Sequence, residues 1–178
     1  MNRMLWSVMI PLFLGFTMLM PVQGFGAIEG KDIPVVTKAF ASPELIPGDT
    51  WKIYLNVSDP NGEMKYIVAM VEQPGVAPYP ISFIRVKKEN RKELSGYIYL
   101  TSLQFADVPN SLNNTTLNLT VQIKDSAGNY SNPVVFPLYL NTRAAEETPP
   151  KGVFQERALG PVMIDLQSVT GGRGAHDF

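Results

Sequence analysis

Across residues 33–141 apolar side chains recur mostly at every second position, the period of a strand that buries one face. Trp51, Ile53, Leu55 and Val57 alternate with Lys52, Tyr54, Asn56 and Ser58. Leu117, Leu119, Val121 and Ile123 alternate with Asn118, Thr120, Gln122 and Lys124 in the same way. A third run, Val134, Phe136, Leu138 and Leu140, places Pro137 on the opposite parity; proline brings no N–H to a ladder, so an edge position is predicted. Residues 35–40, 64–72, 81–86 and 96–100 are four further candidates, each bounded by Pro, Gly, Asn or Asp. About seven short strands at this spacing predict an all-β protein built as a single antiparallel β-sandwich over residues 31–141. No long stretch follows a helical period, and the charged segment 87–92 is expected to be a solvated loop.

The pattern changes after Asn141. Residues 142–152 contain Glu146-Glu147-Thr148-Pro149-Pro150 and form a linker in which the prolines favour an extended chain. Within 153–178, Val162, Ile164 and Leu166 again alternate with Met163, Asp165 and Gln167, predicting a strand over 160–169. A lone strand cannot pair its backbone or bury its apolar face, so it must dock on an edge of its own sandwich or on another protein. The glycine-rich end, 171–178, is expected to stay disordered.

Two turns carry the most local information. Asp59-Pro60-Asn61-Gly62 joins two predicted strands, with Pro presetting one backbone angle and Asn-Gly supplying a positive one. Asp125-Ser126-Ala127-Gly128-Asn129 does the same before the last strand of the sandwich. At these residues the chain resembles the bacterial immunoglobulin-like, cadherin-like and fibronectin type III families, whose repeats often show a strand followed by D-x-A-G-N-x-S before the last strand. The resemblance spans residues 33–141 and implies an immunoglobulin-like sandwich. It does not specify a function, because such sandwiches serve adhesion, sugar binding and scaffolding alike.

The N-terminus differs from everything after it. Arg3 is followed by an uncharged apolar stretch, 4–20, and then by the small and polar Pro21-Val22-Gln23-Gly24. That is the order of a secretory signal peptide, 1–24, with cleavage after Gly24 preferred and after Ala27 as second choice. The stretch falls short of the roughly 20 residues of a spanning helix and is interrupted by Pro11 and Gly15. Any membrane contact is therefore expected only through an uncleaved leader, and the mature chain is expected to be periplasmic or extracellular.

Charge and composition narrow the chemistry. Lys and Arg total 15 against 16 Asp and Glu, with a net charge of -1, so the basic surplus that nucleic acid requires is missing. Cysteine is absent, which removes disulfides and thiol chemistry and leaves the core alone to hold the domain. The single histidine, His176, lies near the end of the glycine-rich tail and is a poor general base, and Glu146-Glu147 fall in the linker. No catalytic constellation emerges, and the protein is expected not to be an enzyme.

Three candidate sites remain. Asp59, Glu63 and Asp125 lie in turns where carboxylates can gather around Ca²⁺; the plainer reading is that the two aspartates cap their turns. No other cofactor is indicated. Tyr54, Tyr79, Tyr97, Tyr99 and Tyr139 fall opposite the core parity or in loops, and a row including Tyr97 and Tyr99 would suit a carbohydrate or protein surface. Val162, Ile164 and Leu166 would fill pockets on a protein partner or a second copy of the chain. The leading expectation is a non-enzymatic interaction or assembly module that docks its C-terminal strand by β-augmentation, and the alternative is a carbohydrate-binding module. N-terminal sequencing of the exported protein should give Phe25 as the first residue; a start at Met1 would mean that the leader is retained.

Overall fold

The computed structural model describes residues 33–101 and 114–164. The expected signal peptide, Leu166 with the end of the predicted 160–169 strand, and the glycine-rich end lie outside the described residues. Nine strands are present among those described: β1 (Val35–Ala41), β2 (Glu44–Leu45), β3 (Thr50–Ser58), β4 (Met64–Glu72), β5 (Ser82–Arg85), β6 (Glu93–Thr101), β7 (Thr115–Asp125), β8 (Val134–Leu140) and β9 (Ala158–Pro161). The seven predicted segments are all strands, and Lys88–Asn90 within the expected loop makes a short 3-10 turn.

The strands form two facing sheets, ordered β1-β3-β6-β9 and β2-β8-β7-β4-β5. The pairs among the seven predicted strands are antiparallel, with β4-β5 and β7-β8 joined as sequential neighbours. Two parallel pairs correct the wholly antiparallel expectation: β2 on β8, and β9 on β6. Both join strands connected by long excursions, the condition under which parallel pairing arises. Pro137 pairs with Asn118 of β7, and on its far side β2 reaches only Tyr139 and Leu140. β8 is thus not the expected edge strand, but its outer side is unpaired at Pro137, so the missing N–H costs no ladder bond.

Alternation builds the core. Trp51, Ile53, Leu55 and Val57 of the first sheet meet Leu117, Leu119, Val121 and Ile123 of the second, all fully buried. Trp51 also satisfies its indole N–H on the carbonyl of Ser42 at 2.8 Å, as a buried donor must. In β4 the register shifts between Met64 and Tyr66, so that Met64 and then Ile67, Ala69 and Val71 all point inward; a bulge realigns side chains that strict alternation would have split between faces.

The C-terminal segment closes the structure. After β8 the chain crosses the outside of the first sheet as a strap, 153–157, and then pairs as β9 along the outer edge of β6. Tyr97 N–H donates to Arg157 O at 2.9 Å, and Val162 N–H donates to Tyr99 O at 2.8 Å. The docked strand is earlier and shorter than the predicted 160–169 strand, and it docks on its own body. Val162 is 4% exposed and belongs to the core, and Ile164 packs against that core. Two glycines permit the close approach. A Cβ at Gly96 would lie 2.5 Å from Arg157 O, and one at Gly160 would lie 2.6 Å from Ile84 Cγ2 of the opposite sheet.

Because Val162 is part of the core, Val162→Ala should destabilise the protein by about 2 kcal/mol in denaturant unfolding. Met163→Ala, at a side chain that is 72% exposed, should leave the midpoint within about 0.5 kcal/mol of the parent. Equal effects would mean that the strap does not pack as described.

Candidate functional site

The turns that carry the acids sit at one pole of the sandwich. Asp59 is fully buried; its Oδ1 accepts Asn61 N–H at 3.2 Å and its Oδ2 accepts Glu63 N–H at 2.8 Å. Asp125, also buried, accepts Asn129 N–H on Oδ1 and Asn129 Nδ2 on Oδ2, each at 2.8 Å. Ser131 completes the D-x-A-G-N-x-S run, its Oγ accepting Ile123 N–H at 2.9 Å and donating to Asn132 O at 3.0 Å. Glu63 faces the second turn, where its Oε2 accepts the Ser126 hydroxyl at 3.0 Å. Both aspartates thus direct their oxygens at turn N–H groups. Among the described residues no three His, Cys, Asp or Glu side chains are grouped to hold a metal ion.

The tyrosines form a different arrangement. Phe40 pairs with Tyr54 across β1 and β3, and Tyr54 pairs with Tyr97 across β3 and β6. Their rings follow one another at centroid separations of 6.4 and 5.4 Å, and Tyr99 continues the row 6.4 Å from Tyr97. The row points outward, as parity predicted, but it is not open. The strap lays Phe154 on Tyr54 at 5.6 Å, Lys52 Nζ lies 4.7 Å from the centre of the Tyr97 ring, and Tyr54 is only 4% exposed. Tyr97 and Tyr99 are half-buried, and Tyr79 is buried. Tyr139 remains partly exposed and donates its hydroxyl to Asn114 Oδ1 at 2.7 Å.

Glu156 ties the strap to this row. The Tyr54 hydroxyl donates to Glu156 Oε1 at 2.7 Å, and Lys52 Nζ lies 3.4 Å from Oε2. Burial, and then donation to Glu156, push the Tyr54 hydroxyl above its ordinary range. The Glu156 carboxyl is held below its ordinary range, first by the Tyr54 hydrogen bond; burial opposes this, and the hydrogen bond and charge of Lys52 add to it. Neighbouring bonds secure the strap: Asn56 Nδ2 to Val153 O at 2.9 Å, Gln155 N–H to Ser95 Oγ at 3.1 Å, and Arg157 Nη2 to Ser95 O at 2.9 Å. Upstream of these contacts the linker stands away from the sheet and bounds an open groove of about 820 Å³, lined by Phe40, Lys52, Tyr54, Glu147, Lys151 and Phe154 among others.

Among the described residues no segment like the strap crosses the outer face of the second sheet. Phe83, Met70 and Val135 are 53%, 37% and 57% exposed. Val68 pairs with Phe83, and Thr120 lies between Met70 and Val135. Asn118 and Gln122 are the other near neighbours on β7, so the centre of the face is apolar or uncharged. Glu72, Arg85 and Lys124 lie toward its margins. Sequence reasoning did not single out this face, nor Phe154 and Glu156. Apolar residues at outward parity were the available signal for the face; nothing local marked the other two.

Together the two facing sheets define an immunoglobulin-like β-sandwich. Among solved structures it is similar to the PKD domain of an M14-like peptidase from Thermoplasmatales archaeon SCGC AB-540-F20, with 17% identity and a TM-score of 0.36 over 62% of this chain and 97% of that one. No protein-family model matches the chain, and no curated protein matches it. No helix among the described residues is long and apolar enough to cross a membrane.

The lowered carboxyl of Glu156 makes a directional prediction. A depressed folded-state pKa adds stability above the unfolded value, and that stability is lost as the pH falls through the folded value. The gap in melting temperature between the parent and Glu156→Gln should therefore be present at neutral pH and shrink below about pH 4. The gap should be small throughout, because Glu156 is largely exposed and its charge is screened. A gap unchanged between pH 7 and pH 3 would show that the charge contributes nothing.

Proposed function

We propose that this chain is an exported, non-enzymatic protein-interaction module of the periplasm or cell surface, and that the outer face of the β2-β8-β7-β4-β5 sheet meets its partner. The observation that carries this reading is the exposure of Phe83, Met70 and Val135 around an uncharged centre. Contiguous exposed apolar surface on a folded domain marks interaction sites, and interface cores are depleted of charge while their rims are polar. The occupant is a protein surface of matching apolar and weakly charged character. The leader supports export, and the two buried aspartates act within their turns rather than in a cleft.

The carbohydrate-binding alternative needs open ring faces at Tyr97 and Tyr99. A sugar stacking at the centre of the aromatic row would have to displace Phe154 from Tyr54 or Lys52 from Tyr97.

Photoreactive side chains placed at Phe83 and at Val135 should cross-link to protein in the native envelope, whereas one at Lys38 on the other sheet should not. Adding Met70→Asp should abolish the cross-links while leaving stability within about 0.5 kcal/mol, as expected for an exposed site. Cross-linking that is equal on the two sheets, or insensitive to Met70→Asp, would remove the face from consideration.

A further inference from the structure

We propose that the strap is exchangeable between copies: the 153–164 segment of one chain seats on β6 of a second chain and receives that chain's segment in return, giving a closed two-fold dimer. The proposal goes beyond the docking face of the second sheet, and the residues that carry it are not those of that face.

The seat belongs to the body. Tyr54, Asn56, Ser95, Tyr97, Tyr99 and Ser82 hold the segment, and each is separated from its contact by dozens of residues of chain. Nothing in these bonds depends on which chain supplies the strap. An identical segment from a neighbour would make the same contacts at the same distances, which is the condition for exchanging an element between protomers.

The connection allows it. Residues 142–152 bridge the open groove instead of packing into the sheet, and a hydrogen bond from Glu147 N–H to Ser42 Oγ at 3.0 Å ties them to the body. The return toward β6 is made by a turn in which Val153 N–H meets Pro150 O at 3.3 Å and Gly152 adopts φ +73°. Pro149-Pro150 immediately before it favour an extended path. At about 3.3 Å per residue the opened linker spans on the order of 35 Å. A body of this size has a radius of gyration of about 13 Å, so a neighbouring seat is within reach.

The seat also selects its occupant. An empty seat leaves the edge of β6 unpaired and a hole where Val162 lies, so an opened chain is driven to refill it. Refilling requires a strand with no side chain at the position of Gly160, because Ile84 Cγ2 stands 2.6 Å from where a Cβ would be. It also requires an apolar residue two positions later for the Val162 site and a carboxylate four positions earlier for Tyr54. The strap of a second copy meets all three conditions.

Complementation between two full-length variants tests the exchange. Gly96→Val spoils the seat, where the new Cβ would lie 2.5 Å from Arg157 O, but leaves the strap sound. Gly160→Val spoils the strap and leaves the seat sound. Refolded together from denaturant, the two should form a heterodimer in which the strap of the Gly96→Val copy restores amide protection at Tyr97 and Val162; refolded apart, neither should. A mixture that behaves as the sum of its components overturns the proposal, including the case in which each variant fails to fold alone. Gly152→Val keeps seat and strap intact while straining the turn, since a β-branched residue resists positive φ. It should raise the dimer association constant at least tenfold in light-scattering chromatography, and a variant that remains monomeric up to millimolar concentration overturns the exchange. The heterodimer should survive Met70→Asp in both copies; its loss there would assign the contact to the second sheet and overturn the exchange, whereas failure of the cross-linking alone would leave the exchange standing.

Discussion

The outer edge of β6 is the constraint that the rest of the architecture answers. Pairing with β3 uses only one side of that strand, and the other side presents N–H and C=O groups in the middle of the molecule's flank. Left open, such an edge invites pairing with any extended chain. Here the last described strand, β9, takes the position. Because it arrives by a long passage over the outside of the sheet, it runs parallel to β6, whereas a tight hairpin would have produced an antiparallel neighbour. The same passage brings Phe154 and Glu156 onto Tyr54 and carries Val162 into the core. Edge closure, cover of the aromatic row and completion of the core are thus one event.

That event gives the two sheets different exteriors. The first is covered by chain from its own C-terminal part, held by charged and polar contacts to Lys52, Asn56 and Ser95. The second leaves Phe83, Met70 and Val135 in the open. At the pole, Asp59 and Asp125 are buried carboxylates whose oxygens meet backbone and side-chain N–H groups of their own turns. Such capping makes each reversal a defined shape, and it fixes the register of β4 against β7, where Met64 pairs with Asp125.

The body of the sandwich was legible because alternation over four or more positions has one structural meaning. The Trp51 and Leu117 runs became β3 and β7, and Pro137 marked the side of β8 that is unpaired over most of its length. What escaped prediction came from distant partners. β2 is two residues long and exists because Leu45 can pair with Leu140, a relation that no local pattern encodes. β9 begins at Ala158, before the alternation of Val162, Ile164 and Leu166 that suggested a strand; its opening residues include Gly160, chosen for close approach and not for strand propensity. Tyr54 was correctly placed on the outward side, yet its burial depends on Phe154 and Glu156, about a hundred residues away. The turn acids offered two chemistries in sequence, and only the bonds within the turns showed where their oxygens are directed.

A sandwich whose closing strand follows all its other described strands in the sequence has a timing problem during synthesis. Every element from β1 to β8 leaves the ribosome before β9 exists, and throughout that interval the core lacks Val162 and the flank of β6 is bare. Nascent chains in this condition are the species most exposed to proteases and to pairing with one another. Any chain cut short before Ala158 would stay in that state permanently, so the architecture distinguishes copies that carry the closing strand from copies that lack it.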